Sequence, residues 1–98
     1  MTTDVLKQRI AVRGAELDAE LVALSNRLHD DPELGWQEHR SSAAVAGLLS
    51  AHGFAIEQPY LGLDTAFRAT LGSGPFTVGF LAEYDALPGL GHACGHNL

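Results

Sequence analysis

Residues 76–82, Phe-Thr-Val-Gly-Phe-Leu-Ala, constrain this chain more than any other stretch. They are almost continuously apolar and run directly into two carboxylates, Glu83 and Asp85. An apolar run of this length, entered from Gly72-Ser73-Gly74-Pro75, reads as a β-strand buried on both faces. Such a strand predicts a sheet covered by helices.

The sequence before it supplies candidate helices. Leu17, Leu21, Leu24 and Leu28 fall at i, i+4, i+7 and i+11, on one face of an α-helix. Leu6 and Ile10 extend a weaker pattern towards the start, and Gly14 either interrupts or weakens it. Burying four leucines contributes about 6–12 kcal/mol. Ordering the backbone of some fifteen residues costs about 1–2 kcal/mol each, so this helix must pack on something else to persist. His29-Asp30-Asp31-Pro32 ends it, because proline cannot continue a helix and biases Asp31 away from the α region.

A second helix is expected over about residues 36–51. Val45, Leu48 and Leu49 supply its apolar face, the small residues Ala43, Ala44, Ala46 and Gly47 allow close packing, and Gly53 stops it. After Gly53 the period shortens. Residues 54–58 and 66–71 read as two strands, with residues 76–82 as the third. The expected fold class is α/β: two N-terminal helices followed by the first strands of a mixed sheet.

Charge excludes several functions. Six basic residues against twelve acidic ones give a net charge of −6. Lys7, Arg9, Arg13, Arg27 and Arg40 are interleaved with acids, as on a solvated helix surface. No basic stripe is available for nucleic acid or an anionic membrane. No segment approaches the roughly 20 apolar residues that span a bilayer, and the first ten residues lack the apolar core of a secretory signal. A single cysteine, Cys94, cannot form an intramolecular disulfide. The chain is expected to be soluble and cytoplasmic.

The last sixteen residues concentrate the chemistry. Glu83 and Asp85 stand at the C-terminal end of the expected buried strand, where α/β folds place ligands. Burying them is costly unless they are hydrogen-bonded or bind a cation. His92, Cys94 and His96 alternate within five residues, and thiolate and imidazole suit Zn²⁺ and similar ions. Gly91 and Gly95 let the backbone turn so that donors converge. In a strand all three side chains would point one way; in a helix only His92 and His96 would share a face; not all three need be ligands. The other histidines have simpler readings. His39 is a surface residue, His52 sits at a helix C-terminus where the dipole stabilises it, and His29 precedes a turn. Trp36 is expected to pack at a helix start.

Three motifs together resemble a known family. They are Leu28-His29-Asp30-Asp31-Pro32-Glu33-Leu34-Gly35 with Glu38; Ala82-Glu83-Tyr84-Asp85-Ala86-Leu87-Pro88; and Gly91-His92-Ala93-Cys94-Gly95-His96-Asn97. In order and spacing they resemble the aminoacylase and carboxypeptidase-like metallopeptidases. The resemblance is to the amidohydrolase branch, which includes N-acyl-amino-acid, auxin-conjugate and p-aminobenzoyl-glutamate hydrolases. It spans residues 16–98.

The resemblance implies a two-metal site holding zinc, manganese or cobalt. Cys94 and His96 would be metal ligands. Glu83, where relatives carry His or Asp, would stand near the metals, and Asp85 would orient a ligand. Asn97 replaces the Asp of many members and, with residues 83–91, resembles the subgroup acting on dipeptides or aminobenzoyl-glutamate-type amides. The implied reaction is hydrolysis of the amide bond of a small N-acyl amino acid or dipeptide, with a glutamate general base and further ligands that lie outside this chain. Relatives often dimerise through an inserted domain that is also outside it. Residues 1–98 are then the N-terminal part of a catalytic domain, truncated at its metal motif and inactive alone. The alternative is a non-enzymatic metal-binding or interaction module. A redox role for Cys94 is weaker, because no second cysteine could resolve it.

Overall fold

The computed structural model describes residues 2–98. Two helices are followed by a two-stranded antiparallel sheet, so the α/β expectation holds: α1 is Thr3–Asp30, α2 is His39–Ala51, β1 is Ala55–Glu57 and β2 is Arg68–Thr70.

α1 is continuous for 28 residues. Thr2 caps its start by accepting the Val5 N–H on Oγ1 at 3.2 Å, and Asp4 complements the dipole in the first turn. Gly14 does not interrupt it. The leucine face is used unevenly: Leu28 is buried, Leu17 and Leu24 are half-buried, and Leu21 is exposed. α1 ends at Asp30, and the Asp31 N–H bonds back to the Arg27 carbonyl. This is the stop expected of Asp31-Pro32.

α2 starts three residues later than expected. Trp36 occupies the left-handed region at φ 71, and the Gln37 N–H closes a turn on the Leu34 carbonyl, which keeps these residues out of the helix. Trp36 is also 75% exposed, which corrects its expected packing role. The buried face of α2 is made of Ser41, Ser42 and Ala46, while Val45, Leu48 and Leu49 are only half-buried. Small side chains therefore make the closest approach. The Ser42 hydroxyl takes up the Gln58 side-chain amide, which ties the loop after β1 to α2.

The two strands pair in register Ala55↔Thr70, Ile56↔Ala69 and Glu57↔Arg68. Gly53, at φ 92, makes the reversal from α2 into β1. Each strand is shorter than its sequence pattern, since pairing extends over three residues only.

The expected third strand is a correction. Residues 76–82 have no regular secondary structure and pair with no other segment among the described residues. Phe80 is 92% exposed and Leu81 fully so. A central strand is defined by neighbours, and none of the described residues lies alongside to supply a ladder or a covering layer. The core is correspondingly thin: Leu28, Ala46 and Ala86 are the buried hydrophobic residues among those described.

Candidate metal centre

Residues 83–86 lie against the connection between α1 and α2. Three contacts hold them there. The Tyr84 hydroxyl donates to the Thr65 carbonyl, and its ring stacks on Phe67 with centroids 6.3 Å apart. Burial pushes the Tyr84 phenol above its ordinary pKa, and the nearby Glu38 charge adds to this against a hydrogen bond from Ser42. The Ala86 N–H donates to the Glu33 carbonyl at 2.7 Å, within a parallel bridge between Leu34 and Ala86.

The loop that follows is folded on itself. Leu87 and Gly91 exchange both main-chain hydrogen bonds, at 2.9 and 3.1 Å. Gly91 and Gly95 take positive φ values of 64 and 86, as their expected turning role requires. The Asn97 amide donates to the Ser25 hydroxyl on α1 at 3.2 Å. An aspartate at position 97 could not donate that bond, so asparagine is accounted for locally.

This arrangement gathers Glu83, Asp85 and His96, with one donor atom from each lying within 4.8 Å of the others. His96 is the centre of the group. Its Nδ1 lies 2.7 Å from Asp85 Oδ1 and its Nε2 lies 3.1 Å from Glu83 Oε2. The hydrogen bond to Asp85 raises the His96 pKa above its ordinary value; desolvation opposes this, and the charges of Asp85 and Glu83 reinforce it. Two carboxylates and one imidazole converging on a partly open surface form a donor set that suits a borderline divalent cation.

Cys94 is not part of that group. Its thiol is exposed and points back to the Asp85 main-chain carbonyl, 3.7 Å away. It is adjacent to the cluster through Asp85 rather than facing His96. His92 is also outside the group. It is 8% exposed, and neither ring nitrogen has a hydrogen-bond partner among the described residues. The remaining histidines lie elsewhere. His39 is exposed at the start of α2, His29 contacts Asp30 at 3.3 Å, and His52 caps α2 and bonds Glu20 of α1 at 3.0 Å.

A cavity of about 320 Å³ opens beside the cluster. It shares Glu83 and Asp85 with the donor group and is otherwise lined by residues including Trp36, Glu38, Leu63 and Tyr84.

Sequence reasoning missed Glu33. Its side chain is 5% exposed, and its carboxylate accepts from the Ser41 N–H at 2.6 Å, the Ser41 hydroxyl at 2.7 Å and the Arg40 N–H at 3.1 Å. Burial alone would raise its pKa. The Ser41 and Arg40 hydrogen bonds, with the Arg40 charge, outweigh burial and hold it below the ordinary 4.5. A signal was present, since an acid shortly before a helix start is placed to take its free N–H groups.

Known proteins resemble this chain over nearly its whole length. An Xaa-Arg dipeptidase of Mus musculus is 43% identical over 97% of the chain, and the human Xaa-Arg dipeptidase is 39% identical over the same share. A p-aminobenzoyl-glutamate hydrolase subunit of Escherichia coli is 32% identical over 76% of it. The chain belongs to the aminoacylase and carboxypeptidase-like family, in its amidohydrolase branch. It spans about a quarter of the length of the two dipeptidases and 19% of the bacterial hydrolase. No family model matches the chain. These relatives are named as a dipeptidase and as a p-aminobenzoyl-glutamate hydrolase subunit. No helix among the described residues is long and apolar enough to cross a membrane.

Proposed function

We propose that residues 1–98 are the N-terminal part of the catalytic domain of a metal-dependent amidohydrolase. Its reaction is hydrolysis of the amide bond of a dipeptide or small N-acyl amino acid. The dipeptidase relatives favour the dipeptide.

The observation that carries this reading is the environment of His96. Asp85 takes the Nδ1 side of the ring at 2.7 Å, which orients the ring and turns Nε2 to the side of Glu83, where a bound cation would replace the Nε2 proton. A carboxylate behind a histidine is the usual support of a metal-binding imidazole. In this reading His96, Glu83 and Cys94 hold the metal, and Asp85 orients His96. Zinc, manganese and cobalt all suit these donors. When bound, divalent ions polarise the scissile carbonyl and lower the pKa of a water towards neutrality. The cavity beside the cluster receives the substrate, with Trp36 and Tyr84 along its wall. The general-base glutamate and the remaining ligands belong to polypeptide beyond these residues. We place the protein in the cytoplasm, where a lone exposed thiol stays reduced.

Amino-acid release from a dipeptide, followed with added Zn²⁺, Mn²⁺ or Co²⁺, tests the reading. Polypeptide extended by the reading frame beyond the Leu98 codon is expected to turn over and to lose activity on chelation. The 98 residues alone are expected to show no turnover. A stop codon directly after Leu98, or turnover by the 98 residues alone, would sink the proposal.

A further inference from the structure

The segment 31–34 lies outside the donor group, yet it joins the two structures on which that group depends. On one side it is fastened to the start of α2. Asp31 pairs with the Arg40 guanidinium through two bonds of 2.6 and 2.9 Å. Glu33 accepts from the Arg40 N–H, the Ser41 N–H and the Ser41 hydroxyl. On the other side it carries the segment that presents Asp85. The Glu33 carbonyl accepts from the Ala86 N–H at 2.7 Å, Leu34 bridges Ala86, and the Pro32 ring approaches Gly91.

A buried carboxylate is costly unless its oxygens are filled, so the position of Glu33 relative to α2 is narrowly defined. The main chain of the same residue sets the position of Ala86, one peptide from Asp85.

We propose that Glu33 is a positioning residue for the metal cluster: its side chain seats on the N-terminus of α2, and its main chain thereby sets Asp85 opposite His96. This rests on the metal-site reading above. Glu33 touches neither metal nor substrate and acts through Asp85. Glutamine keeps the shape but replaces one acceptor oxygen by a donor facing N–H groups, so Glu33→Gln unseats the contact. Replacing a direct partner of a metal ligand, the place Asp85 holds behind His96, changes metal affinity by about 10–100-fold.

The test is Zn²⁺ titration by calorimetry of the polypeptide extended by the reading frame beyond the Leu98 codon, and of its variants, with circular dichroism to follow folding. Glu33→Gln is expected to weaken Zn²⁺ binding by about tenfold or more. Ser41→Ala, which removes one of the three bonds, is expected to weaken it less. Ala46→Gly, buried in α2 away from the cluster, is expected to lower stability without changing affinity. In an Asp85→Asn background, Glu33→Gln is expected to cost no further affinity, because Glu33 acts through Asp85.

Unchanged Zn²⁺ affinity in folded Glu33→Gln, or a full additive loss in the Asp85→Asn background, overturns the positioning role and leaves the metal site standing. Absence of Zn²⁺ binding by the unsubstituted extended polypeptide overturns the metal-site reading and the positioning role with it. Should Glu33→Gln not fold, Ser41→Ala decides, and affinity equal to the unsubstituted chain counts against the proposal.

Discussion

Glu33 illustrates how a single residue can be visible in a motif and still have its work hidden. The motif Asp-Asp-Pro-Glu-Leu-Gly marks it, but its burial follows from a packing arrangement that the sequence does not display. Its carboxyl titrates below the ordinary 4.5 when folded, so the unfolded chain binds its proton more readily. The stability it contributes is therefore fully present above about pH 4.5 and lost as pH falls through the lower folded value. Acid unfolding followed by circular dichroism is expected to show a weaker fall in stability between pH 5 and lower values in Glu33→Gln than in the unsubstituted chain. Superimposable acid limbs would mean that Glu33 gains nothing from its partners. The other residue-scale surprise is Trp36, whose left-handed backbone and exposed indole leave no trace in a hydropathy pattern. Cys94 and His96 were readable as donors from type and spacing. The separation of Cys94 from Glu83, Asp85 and His96 was not, because it depends on how the loop from Leu87 to Gly91 closes.

Helices were the most legible elements. Leucine spacing and the Asp31-Pro32 stop located α1, and Gly53 located the end of α2, since periodicity and punctuation are local signals. The length of α1 was less clear because Gly14 weakens the pattern. In the structure Gly14 is exposed within an unbroken helix, and a Cβ there meets nothing within 4 Å. Gly14→Ala is accordingly expected to stabilise the chain by about 0.8–1 kcal/mol, through helix propensity alone. Denaturant unfolding measures this; a loss of stability would mean that Gly14 has a packing role. Strands were less legible, because a strand is completed by partners distant in sequence. The pairing of β1 with β2 followed the pattern. The apolar run of residues 76–82 remained unpaired.

At the scale of the whole molecule, the same fact governs both stability and function. Large apolar side chains such as Phe76, Phe80 and Leu81 stay exposed, while the buried hydrophobic positions are Leu28, Ala46 and Ala86. The fold class and the order of helices and strands were legible because they follow from local patterns. A sheet around residues 76–82 was not, since among the described residues this stretch pairs with no other segment. The candidate site follows suit. Glu83, Asp85 and His96 converge because Thr65, Glu33 and Ser25 of α1 hold the neighbouring residues Tyr84, Ala86 and Asn97. The geometry leaves Cys94 beside this group, whereas the proposed metal centre requires its thiolate as a ligand. Cobalt distinguishes these directly, since a coordinated thiolate gives a ligand-to-metal charge-transfer band. Titrating the chain with Co²⁺ is expected to produce that band; Cys94→Ser is expected to abolish it, and His96→Gln to abolish cobalt binding at the cluster. Cobalt binding that is indifferent to both substitutions would contradict the metal-centre account.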